Sequence, residues 1–275
     1  MRVLTYNLQG WRTIDDRPNL DLVADLLKGA DADVIGLNEV YHPAPATTGS
    51  ALGWLAGQLG MSYAFAACEA RRLPGNSTPV SYGNALLSRA PIASASSGLF
   101  MPFLRKEQRG YLEGRIDAGD RRTFTVVVTH LDHTDETVRL AQIDDLFSGV
   151  GSIHGVPALI MGDFNCVHPR DYSNRPDALT RLSSHPVGGQ FANQPEGPRV
   201  VGRMEEVGYT DALIHKEFLE VGTVIPMDEP LRLDYIWLSS STLPGLTRVG
   251  VLEESSGQEA SDHRAVFAEL FLPGS

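Results

Sequence analysis

Ile160-Met161-Gly162-Asp163-Phe164-Asn165 continues an apolar run, Val156 to Met161, into two polar side chains. The run is short and bounded by Pro157 and Gly162, so it reads as a buried strand that stops at a glycine. Asp163 and Asn165 stand two apart, and an extended backbone turns both side chains to one face. Taken singly, this is an ordinary turn, because Asp and Asn commonly cap strand ends. The pattern gains meaning because other strands in the chain end the same way.

Upstream, Thr123 to Thr129 is strongly β-branched and leads into His130-Leu131-Asp132-His133. With the alternating Tyr111 to Ile116 it predicts a hairpin turning at Gly119-Asp120. Thr134 is placed to cap a helix that carries Val138, Ala141, Gln142, Leu146 and Phe147. Nearer the N-terminus, Val3 to Leu8 reads as a strand with Asn7 at its end. Leu20, Val23, Ala24, Leu26 and Leu27 keep helical spacing, with Gly29 as the stop. Val34 to Val40 is a strand interrupted by Asn38 and Glu39, and Leu52 to Leu59 a short helix. Tyr63 to Ala67, Asn84 to Ser88 and Ile92 to Leu99 read as strands. Pro169 to Pro198, rich in Pro, Ser, Asn, Gly and Arg, is expected to loop over the surface. Arg203 to Val207 is a helix candidate, and Leu233 to Leu238 and Ala265 to Phe271 close the chain as strands. Many strands with few helices between them, and no linker, predict one α+β domain over residues 1–275, with two sheets face to face and helices outside.

Composition bounds the function. With 42% hydrophobic and 21% charged residues the chain is of globular type. Its 34 acids against 23 bases give a net charge of −11, spread without runs, which does not attract polyanions unaided. Cys68 and Cys166 are too few for a disulfide framework or a structural zinc site. No apolar segment is long enough to span a bilayer, and Arg2 to Leu8 already reads as a strand rather than a leader, so the sequence reads as cytoplasmic.

Six strand ends carry polar groups: Asn7, Glu39, His130 with Asp132, Asp163 with Asn165, Asp234, and Asp262 with His263. Each has a plain alternative, such as a turn former, a surface acid or a satisfied core histidine. Together they argue for convergence. Four converging carboxylates, Glu39, Asp163, Asp234 and Asp262, would raise one another's pKa values unless a cation relieved them. Oxygen ligands without cysteine suit Mg²⁺ or Mn²⁺. The two histidines are then free to act on protons or phosphate oxygens.

Thr5-Tyr6-Asn7, Leu37-Asn38-Glu39-Val40, Tyr82-Gly83-Asn84-Ala85, Thr129-His130-Leu131-Asp132, Gly162-Asp163-Phe164-Asn165, Asp234-Tyr235-Ile236 and Ser261-Asp262-His263 follow one another in this order. In that series the chain resembles the endonuclease/exonuclease/phosphatase superfamily, the deoxyribonuclease I-like fold. The resemblance implies a four-layer α/β/β/α sandwich and hydrolysis of phosphoesters with a divalent metal. It implies Glu39 as principal metal ligand, with Asn7 beside it and Asp262 completing the site. Asp163 would orient or deprotonate water, Asn165 would hold the phosphate or that water, and Asp234 would fix the tautomer of His263. His263 would contact a phosphate oxygen or act as the base. His130 would stabilise charge or protonate the leaving oxygen. No acid partner for it stands out in the sequence, and Tyr82 or Asn84 could fill that place. Asn38 stands where many members have Gln. Val127 stands where abasic-site endonucleases have Tyr, which speaks against an abasic-site role.

The leading expectation is therefore a metal-dependent phosphodiesterase or nuclease using in-line water attack. A phosphomonoesterase on a sugar or inositol phosphate competes with it. From other classes come a non-catalytic binding module, which loss of a ligand residue would mark, and cysteine chemistry at Cys166, where a core-filling thiol is the plainer reading. Asn84 and Arg109 are candidate substrate contacts, and Arg105, Lys106, Arg170, Arg175 and Arg181 lie in loops suited to anions. A phosphoester, short or terminal if it is nucleic acid, is the expected partner.

Overall fold

The computed structural model describes residues 1–43, 50–72, 79–117, 119, 123–150, 156, 158–192, 199–252 and 259–271. Its strands, in chain order, are β1 (Arg2–Asn7), β2 (Val34–His42), β3 (Ser62–Arg71), β4 (Val80–Ser88), β5 (Ile92–Leu99) and β6 (Gly110–Asp117). They continue with β7 (Thr123–His130), β8 (Ala158–Asp163), β9 (Tyr209–Asp211), β10 (Asp234–Ser239), β11 (Leu246–Val251) and β12 (Val266–Leu270). The helices are α1 (Leu20–Ala30), α2 (Ala51–Leu59), α3 (Glu136–Gly149), α4 (Pro176–Ser184), α5 (Gly189–Ala192), α6 (Arg199–Glu206) and α7 (Ala212–His215).

Two six-stranded sheets form, in the orders β11-β12-β1-β2-β4-β3 and β5-β6-β7-β8-β10-β9. The two-residue period of each strand sorts its side chains between them. Val3 and Val34 of the first sheet meet Val126, Val128, Leu159, Met161 and Ile236 of the second between the layers. Leu4, Tyr6, Ile35 and Leu37 point outward beneath Val23 and Leu27 of α1 and Leu52 and Leu55 of α2. On the other outer face Val127, Ile160, Tyr235 and Trp237 pack under Ile143 and Leu146 of α3 and Met204 of α6. The result is the expected α/β/β/α sandwich, in which each fully buried Leu, Ile or Val side chain contributes about 1.5–3 kcal/mol.

The local expectations fare unevenly. β6 and β7 pair antiparallel as the predicted hairpin, though Asp120 of its turn lies outside the described residues. α1 runs past Gly29 to Ala30 and is stopped by Asp31, whose φ of 50° ends the helix. Asp135, not Thr134, caps α3, accepting from the amides of Thr137 and Val138. The segment expected to loop from Pro169 instead carries a 3₁₀ turn (Pro169–Tyr172), α4 and α5; its residues 193–198 lie outside the described residues. Pro176 starts α4 rather than breaking it, as proline does in a first turn. Tyr172, Ala178, Leu182 and Phe191 then form a core of their own with Leu231 and Leu233. Finally, β8 does not stop at Gly162 but runs on through Asp163.

Candidate active site

The registers gather the polar residues. β1 and β2 are parallel, so Asn7 and Asn38 sit opposite each other at one end. β7 and β8 are also parallel and set His130 beside Asp163. β10 runs antiparallel to β8, so its first residue, Asp234, meets the last residue of β8, Asp163. His263 belongs to no strand; an isolated bridge to Val224 holds it.

Asn7 joins the two sheets. Its Nδ2 donates to Glu39 Oε1 at 3.2 Å and to Asp163 Oδ2 at 3.0 Å, while its Oδ1 accepts the Gln9 amide at 3.1 Å. Glu39 lies inside β2 at a bulge, where Asn38 and Glu39 together face Asn84 of β4. Its φ of 59° is a left-handed conformation unusual for Glu, of the kind that clusters at functional sites. Asn38, which interrupts the strand and stands where many members have Gln, is a buried clamp between the sheets. It donates to Asn84 Oδ1 at 2.8 Å and to the Thr129 carbonyl at 3.0 Å, and it accepts the Asp163 amide at 2.9 Å. A polar side chain inside an otherwise apolar strand was the available signal. Asn84 is occupied by Asn38 and by the Gly110 carbonyl at 3.0 Å, and buried, so it supports the site rather than lining it.

Gly162 is required by space. Its φ is 143°, and a Cβ there would stand 1.8 Å from the Thr129 carbonyl oxygen of the neighbouring strand. Gly162→Ala is accordingly expected to destabilise the fold by more than about 1 kcal/mol, with a matching loss of activity. Denaturant melts check this, and a wild-type midpoint would refute it. Beyond Gly162 the chain turns, with Asn165 at φ 50°, and the Asn165 amide donates to Asp163 Oδ1 at 2.9 Å. Asp163 and Asn165 therefore converge through a turn, not through the extended alternation that the spacing predicts.

Asp163 Oδ2 is the meeting point. Besides Asn7 it faces His130 Nε2 at 3.5 Å and His263 Nε2 at 3.8 Å. Asp163, Asp234 and His263 form a compact buried group, and His263 Nδ1 lies 2.8 Å from Asp234 Oδ2. Burial raises the Asp163 pKa to about 7; His263 opposes that rise and Asp234 adds to it. Burial alone would depress His263, but the Asp234 carboxylate, then Asp163 and Asp262, outweigh it and hold His263 well above the ordinary imidazole range. His130 goes the other way, pushed well below that range by burial first and then by the Arg109 guanidinium. Its partner is thus neither Tyr82 nor Asn84: Arg109 Nη1 lies 2.9 Å from His130 Nδ1.

Asp262 is half-buried, its amide donating to Gln9 Oε1 at 3.1 Å. Ser261, quoted in the sequence only as part of the last motif, ties that loop down by donating from Oγ to the Asn7 carbonyl at 2.7 Å. The donors that Glu39, Asn7 and Asp262 offer are oxygens. Both cysteines are buried and protonated, with the Cys68 thiol pushed up to about 11 by burial. Asp163 and Asp234 gather on the one His263 side chain in a buried group, and Asp234 Oδ1 is buried without a hydrogen-bond partner. This set fits a hard divalent cation better than a soft one.

The family model described as the endonuclease/exonuclease/phosphatase family matches residues 4–263. The chain belongs to that family. Its members are hydrolases acting on phosphoester bonds. Among solved structures, an endonuclease/exonuclease/phosphatase from Beutenbergia cavernae is 20% identical with a TM-score of 0.72, covering 99% of this chain and 71% of its own. An AP endonuclease from Archaeoglobus fulgidus is 16% identical with a TM-score of 0.71, covering 99% and 100%. A mannosyl-6-phosphatase from Bacteroides thetaiotaomicron is 18% identical with a TM-score of 0.66, covering 99% and 100%. At such identities the likeness of these endonuclease/exonuclease/phosphatase structures carries the fold alone. The sequence matches none of the curated proteins with which it was compared. Among the described residues no helix is long and apolar enough to cross a membrane.

Proposed function

We propose that this family member hydrolyses a phosphodiester by in-line attack of water, with Mg²⁺ or Mn²⁺ held by Glu39, Asn7 and Asp262. The observation that carries the proposal is the position of Asp163 Oδ2, faced at once by Asn7, His130 and His263 where the two sheets meet. A buried carboxylate ringed by donors is arranged to orient a water and take its proton. Asp234 holds His263 by Nδ1, which leaves Nε2 to donate toward a non-bridging phosphate oxygen. The bound cation would supply charge neutralisation at the phosphoryl group. Asn165 then orients the water or the phosphate, and Asn84 acts from behind, through Asn38.

A compact or terminal phosphoester suits this chain better than the interior of long duplex DNA. The loop cations expected to meet anions are largely taken by acids. Arg175 and Arg181 pair with Glu229, and Arg181 also with Asp177 at 2.7 Å. Arg109 pairs with Glu107 at 2.8 Å, and Lys106 lies 3.6 Å from Asp132. A protein tracking duplex DNA neutralises many phosphates and loses affinity steeply with salt. Turnover against salt on long duplex, short oligonucleotide and small esters is the test. Preference for the small or terminal ester, with a log–log slope of about −1 to −3, is expected. Efficient internal cutting of duplex with a slope near about −5 would overturn the reading.

A further inference from the structure

We propose that Arg109 fixes His130 as the Nε2–H tautomer, so that His130 meets the substrate as a neutral hydrogen-bond donor and not as an acid; its catalytic meaning rests on the hydrolysis proposed above. Arg109 is buried beside the site, and its own position is set from several sides. Nη1 reaches the Tyr82 hydroxyl at 3.3 Å as well as His130 Nδ1 at 2.9 Å. Nη2 pairs with Glu107 at 2.8 Å, and the guanidinium carbon stands 5.9 Å from the centre of the Tyr82 ring. A guanidinium has donors only and keeps its proton. The ring nitrogen it faces must accept, so the single proton of a neutral imidazole sits on the other nitrogen.

That nitrogen, Nε2, points into the site, 3.5 Å from Asp163 Oδ2 and 3.1 Å from the Asn165 amide nitrogen. The Asn165 contact looks like a donor meeting a donor, since Nδ2 also lies 3.1 Å from the Leu131 carbonyl. The conflict is resolved on the Asn165 side. An amide can aim its N–H at Leu131 alone, or turn by half a rotation and accept from Nε2 through oxygen. Arg109 has no such freedom, because every face of a guanidinium edge is a donor. The opposite tautomer, or a doubly protonated ring, would set an N–H against a buried cation. Proton transfer from a neutral Nε2–H would leave an imidazolate, so charge stabilisation survives of the two roles implied for His130, and protonation of the leaving oxygen does not. Arg109 is therefore a positioning residue.

The experiment is long-range proton–nitrogen correlation NMR on the full-length protein carrying ¹⁵N-labelled histidine, with His130 assigned by its loss in His130→Gln. Expected is an unprotonated Nδ1 and a protonated Nε2 in the wild type. Arg109→Met is expected to lose that single tautomer and to lower kcat about 10- to 100-fold with KM little changed, as for other groups that orient a functional imidazole. Arg109→Lys, which keeps a cationic donor on the same side, is expected to restore the tautomer. An Nδ1–H or doubly protonated ring in the wild type would overturn the proposal, as would an unchanged Nε2–H tautomer in folded Arg109→Met. Should that variant not fold, the wild-type spectrum and Arg109→Lys still decide. An Nε2–H ring in a protein that hydrolyses no phosphoester would sink the proposed function and leave this assignment standing.

Discussion

Asp163→Asn is expected to lower kcat by about 10²- to 10⁴-fold, the range over which positioned proton-transfer groups act. His263→Ala is expected to cost a similar factor, and the double variant little more than either. The reason is geometric. Asp163 Oδ2 and His263 Nε2 lie 3.8 Å apart, close enough for both to touch one reacting phosphoryl group and its attacking water. Groups that serve one step fail together, so their losses do not multiply. Asp234→Asn should be milder than His263→Ala, because it loosens the imidazole without removing it. Steady-state kinetics on the wild type and the four variants, with thermal melts as the folding control, decide the matter. A double variant whose loss equals the product of the single losses would show two independent roles.

Glu39→Gln is expected to leave the protein folded and to weaken its response to Mg²⁺ and Mn²⁺ by about 100-fold or more, since even groups one step removed from a metal cost 10- to 100-fold. The substitution is close to isosteric. Glutamine keeps an oxygen to accept from Asn7 Nδ2, now at 3.2 Å, and the side chain is only half-buried. What it loses is the charge. Turnover titrated against each cation is the measurement, and a wild-type titration curve would remove Glu39 from the centre of the account.

Part of this site could be read before the fold was seen. Asn7, His130 and Asp163 end apolar strands, and parallel neighbours in a sheet bring such ends to one edge. Asp234 was legible as a polar residue beside a buried strand, but its arrival opposite Asp163 depends on an antiparallel register that periodicity does not encode. Glu39 was visible as an interruption, whereas the bulge that aims it is a property of its pairing with β4. The Arg109–His130 contact was beyond reach, because it needs two side chains 21 residues apart to meet at one end of a hairpin. Arg109 instead read as a candidate substrate contact in a basic loop. The helices after Pro169 were missed for a similar reason. Local composition there is that of a loop, and it is tertiary burial of Tyr172, Leu182 and Phe191 against Leu231 and Leu233 that supports them.

The central claim is cation-dependent phosphoester hydrolysis at the Asn7–Glu39–Asp163–His263 site. It is tested most directly by turnover on a panel of phosphodiesters and phosphomonoesters, before and after exhaustive chelation and on return of Mg²⁺ or Mn²⁺. The account predicts that at least one phosphodiester is hydrolysed, that chelation abolishes the activity, and that either cation restores it in the wild type but not in Asp163→Asn. Full activity after chelation, or equal activity in wild type and Asp163→Asn, would contradict it.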